Sequence, residues 1–168
     1  MSEINRAALF GKLNSVAYKA IEGATVFCKL RGNPYVELVH WLQQILQTPD
    51  TDMQRIIKRF ELDPSRLAKD ITDALDRLPR GATSISDLSA HVESAVERGW
   101  VYATLMFGDV QVRTGYLMVG MIKTPSLRNA LMAISRQFDL IKPDTLTDEL
   151  ARIVKGSAED GLTASDGT

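Results

Sequence analysis

The sequence predicts an all-α protein built as two pseudo-repeats of four helices each. Three observations carry this. Apolar residues recur at three- and four-residue steps along nearly the whole chain, as one face of a 3.6-residue helix requires. A stretch reading RGNPYVELVHWLQQILQTPDT from Arg31 returns as FGDVQVRTGYLMVGMIKTPSL from Phe107. Gly32 and Gly108, Val36 and Val112, His40 and Tyr116, and Pro49 and Pro125 each stand 76 positions apart, and an internal repeat of this kind decides the fold. Thirdly, the one alternating run, Val110 to Val112, is too short to make a convincing strand.

Taken in order, Leu9, Leu13, Ala17, Ile21, Ala24 and Cys28 share one helical face. They predict a long helix from about Leu13 to Leu30, preceded by a short turn over Arg6 to Phe10. Gly11 separates the two pieces, since glycine costs ~1 kcal/mol inside a helix. Gly32-Asn33-Pro34 stops the long helix, because proline cannot continue it. A second helix spans Glu37 to Gln47, with Val39, Leu42, Ile45 and Leu46 inward, and ends at Thr48-Pro49-Asp50. The third, Asp52 to Phe60, uses Met53, Ile56, Ile57 and Phe60. Asp63 as N-cap and Pro64 at the first position open the fourth, which carries Leu67, Ile71, Leu75 and Leu78.

Residues 79–86 (PRGATSIS) read as the linker between halves. The pattern then restarts. Leu88, Val92, Ala95, Val96, Ala103 and Phe107 mark a long helix stopped at Gly108-Asp109. Thr114 to Lys123 follows, with Thr114 as N-cap; Ser126 caps a helix carrying Leu127, Leu131, Ile134 and Phe138. The last runs from Pro143 or Asp144 to Lys155 on Leu146, Leu150 and Ile153. Phe60 matches Phe138 at 78 positions and Pro64 matches Pro143 at 79, so loop insertions absorb a small drift. The organisation is a domain over 1–155, with an extra N-terminal segment 4–12, repeat one about 13–78 and repeat two about 87–155. The glycine-, serine- and acid-rich residues 156–168 read as a flexible tether.

Composition narrows the function. Twenty basic and 21 acidic residues are interspersed, giving a net charge of −1 and no basic stripe for nucleic acid. No apolar run approaches the ~20 residues of a membrane span. The N-terminus lacks the features of a signal peptide, and one cysteine permits no internal disulfide, which fits the cytoplasm.

Reactive constellations are missing from the sequence. It contains no GxxxxGK[ST] or GxGxxG phosphate loop, no HExxH and no CxxC, so neither an enzyme nor a metal or cofactor site is expected. Cys28 sits on an apolar helical face as a small core residue. His40 reads as a packing residue hydrogen-bonded near a helix start. Its counterpart Tyr116 cannot do acid–base chemistry near neutral pH, so the shared task is packing. His91 lies in a polar stretch and reads as a surface residue. Asp70/Asp73 and Asp148/Glu149 have i, i+3 or neighbouring spacing and lie among Lys and Arg, as on a solvated face. What remains is the apolar segment Leu9, Phe10, Leu13, Val16 and Ala17, which either joins the core or lines a groove for an amphipathic helix.

The repeated stretch resembles the N-terminal domain of Clp-type AAA+ unfoldases, a double four-helix repeat with a glycine turn followed by V-x-x-x-H-L-L-x-x-L-L. Here that pattern stands as Gly32, Val36, His40, Leu42, Ile45 and Leu46, with Trp41 in place of a leucine and a degenerate second copy at Tyr116. It covers Leu13 to about Val154. The segment LFGKLN and the following AIEGATVFCKLRGNPYVELVHW resemble the branch that serves type VI secretion. The resemblance implies a non-catalytic recognition domain, tethered to ATPase rings absent from this chain, which alone would need ATP and Mg. The implied partner is an amphipathic helix of the sheath protein or of an accessory adaptor. The implied groove takes Leu13, Asn14, Asp109, Val112 and Tyr116 from the family pattern, with Leu9, Phe10, Val16 and Ala17 from the N-terminal extension. Where relatives carry an acidic residue beside the Tyr116 position, this chain has Gly115, which shifts recognition toward apolar contact. The domain alone is expected to be a monomer and the full-length protein a hexamer. The alternative within the family is a general disaggregase or protease-coupled unfoldase that binds unfolded segments.

Overall fold

The structure, a computed structural model, describes residues 4–167. The sequence-expected limits at residues 1–3 and 168 lie outside the described residues. Nine α-helices are found among the described residues: α1 Arg6–Phe10, α2 Ser15–Arg31, α3 Leu38–Gln47, α4 Asp52–Arg59, α5 Pro64–Asp76, α6 Ala90–Leu105, α7 Thr114–Lys123, α8 Pro125–Ile134 and α9 Pro143–Val154. Side-chain caps fix most of their starts. Asn14, Thr51, Asp63 and Ser89 accept amide N–H groups of the first turns of α2, α4, α5 and α6. Both stop glycines of the repeat, Gly32 and Gly108, are left-handed at φ 70° and 63°, a backbone need that glycine meets without strain.

Three local expectations shift. The residue at the cap position of α7 is Arg113, not Thr114, and it makes no side-chain cap bond. Thr124 stands before α8, with Pro125 as its first residue, so Ser126 is already inside the helix. Ser135, extended at φ −156°, ends α8, and a 3-10 turn Arg136–Leu140 then carries Phe138 into the core.

The chain also makes small strand pairings that leave no alternation to read. Strand β1 (Tyr35–Val36) lies parallel to β2 (Asp87–Leu88), and Leu13 bridges Val112 in the same sense. The Ser89 amide donates to the Val36 carbonyl at 2.9 Å, and the Asn14 amide donates to the Val112 carbonyl at 2.9 Å. Each repeat's turn therefore pairs with the lead-in of the other repeat's long helix, and the capping residues Asn14 and Ser89 occupy matching places. This crossed pairing joins the two halves into one body, with a single cluster of buried residues running through both.

Within each half the long helix packs on the next one, α2 on α3 and α6 on α7, while α4 of the first half lies against α7 and α9 of the second. The α6–α7 approach is close because Gly99 and Gly120 face each other. A Cβ on Gly120 would lie 2.8 Å from the Gly99 amide nitrogen and 2.9 Å from the Arg98 carbonyl carbon. Helix α1 is held on α6 by Arg6, which donates to Asp87 and Glu93 at 2.6 and 2.9 Å.

Residues 156–167 are not a free tether. The Ser165 amide donates to the Leu13 carbonyl at 2.7 Å and the Asp166 amide to the Gly11 carbonyl at 2.9 Å. Ala164 pairs with Asn14 as an antiparallel bridge and is buried. The polar composition misled because this segment is fixed by hydrogen bonds, not by apolar area.

Gly120→Ala is expected to cost about 1–3 kcal/mol, the usual range for overpacking where backbone must give way. Urea denaturation of the variant measures it.

Candidate functional site

The residues expected to line an open furrow come together in space, but most of them are closed in. Leu13, Ala17 and Val112 are fully buried, and Leu9, Phe10 and Tyr116 are nearly so at 6–8% exposure. Asn14 is buried too, its Oδ1 capping α2 by accepting the Ala17 amide at 2.9 Å. Only Val16 and Asp109 are half-exposed. The expected groove is thus corrected for two physical reasons. The Leu13–Val112 pairing brings the two walls into direct backbone contact. The strap 162–166 then lies along the outside, with the Gln111 side chain donating to the Leu162 carbonyl at 2.5 Å.

The strap is held by a charged centre that sequence reading missed. Glu159, wholly buried, accepts from Asn14 Nδ2 (3.0 Å), the Thr114 amide (2.8 Å), Thr114 Oγ1 (2.5 Å) and the Asp52 amide (2.6 Å). Asp52, equally buried, accepts Arg113 Nε and Nη2 at 2.8 and 2.9 Å, Ser157 Oγ at 2.6 Å and the Gly115 amide at 3.2 Å. Arg113 also reaches Asp160 at 2.7 Å. The first amides of α4 and α7, which have no partners inside their own helices, therefore point at two carboxylates. Burial and the neighbouring Asp52 push Glu159 up from the usual carboxylate range, while its bonds to Thr114 and Asn14 pull it back. Burial opposes the Arg113 charge, but the bonds to Asp52 and Asp160 hold it more firmly protonated than usual. Gly115 leaves room for Asp52: an added Cβ would sit 3.0 Å from Asp52 Oδ2.

These groups are saturated by one another, so their work is structural. No group of three or more His, Cys, Asp or Glu able to hold a metal exists among the described residues. No helix among them is long and apolar enough to cross a membrane. Nothing in the linear sequence marked Glu159, which stands in the GSAEDG run that reads as a linker.

Apolar surface near the expected groove lies instead on the turn between α6 and α7. Leu105 and Val110 are 84% and 63% exposed, and Met106 is about half-exposed. Beside them Phe107 stacks on Tyr116 with centroids 5.0 Å apart, and the Tyr116 hydroxyl donates to Asp109 at 2.8 Å. Burial, then the Asp109 contact, raises the Tyr116 hydroxyl well above its ordinary range, in keeping with a packing role. Phe10 also borders a cleft of about 510 Å³ with Tyr18, Ser15 and the strap residue Ser165.

His40 and Cys28 take the packing roles expected of them. The Glu37 amide donates to His40 Nδ1 at 2.8 Å, so the ring proton sits on Nε2, 2.9 Å from Asn33 Oδ1. Cys28 is buried and free, its thiol pushed up by burial and then by Glu37. His91 is exposed.

Comparison with known proteins places this geometry among relatives. The family model of the Clp repeat (R) N-terminal domain matches residues 12–126. The AAA+ ATPase ClpV1 of Pseudomonas aeruginosa is 67% identical over 99% of the chain, which spans 18% of that relative's length. A structure from work on the coevolution of the ATPase ClpV, the TssB-TssC sheath and the accessory HsiE protein superposes with TM-score 0.92 at 66% identity, covering 95% of this chain and 99% of that one. A complex of a ClpV N-domain with a VipB peptide shares the fold, with TM-score 0.80 at 22% identity over 95% and 97% of the two chains.

Arg113→Ala is expected to destabilise the domain by about 3–5 kcal/mol, since it leaves Asp52 a buried charge without its partner. Hydrogen exchange of the variant should also show the Ser165 and Asp166 amides losing protection that they have in the parent chain. Burial, reinforced by Arg31, pushes His40 down to about 4 from 6.5. The unfolded chain then takes up that proton first, so this stabilisation is complete above pH 6.5 and is lost as the pH falls toward 4. Denaturant midpoints across that window should fall less for His40→Gln than for the parent, and the His40 ring resonance should not titrate near 6.5.

Proposed function

The chain belongs to the Clp repeat N-terminal domain family, and from that membership we propose that it is the recognition domain of a type VI secretion AAA+ unfoldase. The reading rests above all on 67% identity with ClpV1 across almost the entire chain. A ClpV N-domain of the same fold has been solved with a VipB peptide, which supports a peptide as the ligand. In this reading the domain docks an amphipathic helix from the sheath or from its accessory protein, in the cytoplasm, and so recruits contracted sheath for disassembly. ATP and Mg belong to rings outside this chain, and those rings assemble the hexamer while the isolated domain is a monomer.

The docking place is the end of the molecule where α1, the start of α2 and the α6–α7 turn meet. Its rim is Leu105, Met106 and Val110, exposed apolar groups over the closed Phe107–Tyr116 stack. The partner's apolar face covers this rim, with Val16 and Asp109 at its border and the buried cluster of Leu9, Phe10, Leu13, Asn14, Ala17 and Val112 as its rigid support. Each aliphatic side chain fully covered contributes roughly 1.5–3 kcal/mol. Lost freedom on association costs ~4–15 kcal/mol. A few such contacts therefore give reversible, micromolar binding, which several domains on one ring would strengthen against a polymeric target.

Titration of the chain with an N-terminal peptide of the sheath protein, and with one from the accessory protein, tests this. One of them should bind in the micromolar range, and Leu105→Glu or Val110→Glu should weaken it about ten-fold, the loss of roughly one apolar contact, with thermal stability unchanged. The proposal fails if neither peptide binds or if both variants bind like the parent. Equal competition by a reduced, denatured protein would favour the general disaggregase instead.

A further inference from the structure

In the first repeat, three helices leave an apolar cleft apart from the proposed docking rim, its floor formed by the outermost side chains of the core. It encloses about 700 Å³ between α3, α4 and α5, with Leu46, Ile57, Leu62, Leu67 and Ile71 as its apolar lining and exposed Ala68 on its lip. A second cleft of about 920 Å³ adjoins it between α4 and α9, and Gln54 and Lys58 line both. Four cations stand in this second cleft, Arg55, Lys58, Arg59 and Arg152, against two carboxylates, Asp50 and Glu149. Arg55 pairs with Asp50 at 2.8 Å, while Arg59 and Arg152 share Glu149 at 2.9 Å each. The Arg152 side chain is 78% exposed, and Lys58 is exposed. With Glu61 on the edge of the apolar trough, the two clefts together hold four cations against three carboxylates, and the one positive charge left over is carried by exposed Lys58. The second repeat differs here: its Phe138 is folded inward, whereas the matching Phe60 stays half-buried under the Arg59 guanidinium.

We propose that this face is a second docking surface, for an amphipathic helix whose apolar stripe is flanked by Asp and Glu. The apolar trough selects the stripe, and the unbalanced Arg/Lys ridge selects the acidic flank. A helix fits better than an extended strand because the walls are helix side chains. They offer no open backbone edge to which a strand could pair. The surface shares no residue with the Leu105–Val110 rim, so one domain can hold two partners, or two segments of one.

The test uses two synthetic 18-residue helices with the same Leu/Ala stripe, one flanked by Glu and one with Lys in every Glu position. Each is titrated into the isotope-labelled chain while amide resonances are followed. The Glu helix should shift the amides of Leu46, Ile57, Lys58, Ala68 and Thr72, and bind more tightly than the Lys helix. Lys58→Glu should weaken the Glu helix about five-fold, as loss and reversal of a surface charge contact does, and high salt should act in the same direction. Ala68→Arg, which fills the lip without touching the core, should abolish the shifts. The Val110→Glu chain should bind the Glu helix unchanged, which separates this proposal from the sheath-docking one. Shifts falling elsewhere, equal binding of the two helices, or Ala68→Arg binding like the parent would overturn it.

Discussion

Two buried carboxylates, Asp52 and Glu159, and one arginine hold together three parts of the chain that are far apart in sequence. Helix α4 from the first repeat and helix α7 from the second both begin at this point, and the strap after α9 supplies Glu159. Burying such charges is costly unless every lone pair is met, and here amides, Thr114, Ser157, Asn14 and Arg113 meet them. The centre therefore fixes register as well as orientation. A shift of α4 against α7 would leave a buried carboxylate without donors. Gly115 belongs to this constraint, since a side chain there would press on Asp52.

The rest of the architecture follows from a duplicated solution to one problem. Each repeat must end a long helix, reverse direction and begin a shorter one. A left-handed glycine followed by an extended residue does this in both halves, at Gly32–Val36 and at Gly108–Val112. Because each extended residue pairs with the other half's lead-in, the repeats brace each other at two matching points. The same pairing explains why an apolar N-terminal segment does not leave a furrow. Once Leu13 sits beside Val112 and the strap lies along Asn14, the aliphatic groups behind them are interior. In the proposed function, recognition is left to what protrudes from the α6–α7 turn, Leu105, Met106 and Val110.

This arrangement suits the binding role proposed for the domain. Its polar centre is spent on holding the fold, and its titratable groups are turned toward packing: His40 is kept neutral between an amide and Asn33, and Tyr116 is kept protonated against Asp109. A rigid body with apolar outcrops can engage a partner helix without reorganising, which keeps the ordering cost of association low.

The sequence alone determined the helices, their order, their doubling and the inward faces. All of these depend on local periodicity and on punctuation by Gly, Pro, Asp and Ser, which act within a few residues. It also determined that His40 and Cys28 pack, since their neighbours in sequence are their neighbours in space. Only the tertiary structure decided which apolar residues stay open. Leu13 and Leu105 are alike as letters, yet one is shut by a bridge to Val112 and the other stands in solvent. It alone decided the fate of residues 156–167 as well. Their composition is that of a linker, but Glu159 finds donors at the starts of α2, α4 and α7, and contacts across 45 to 145 residues leave no trace in a local pattern.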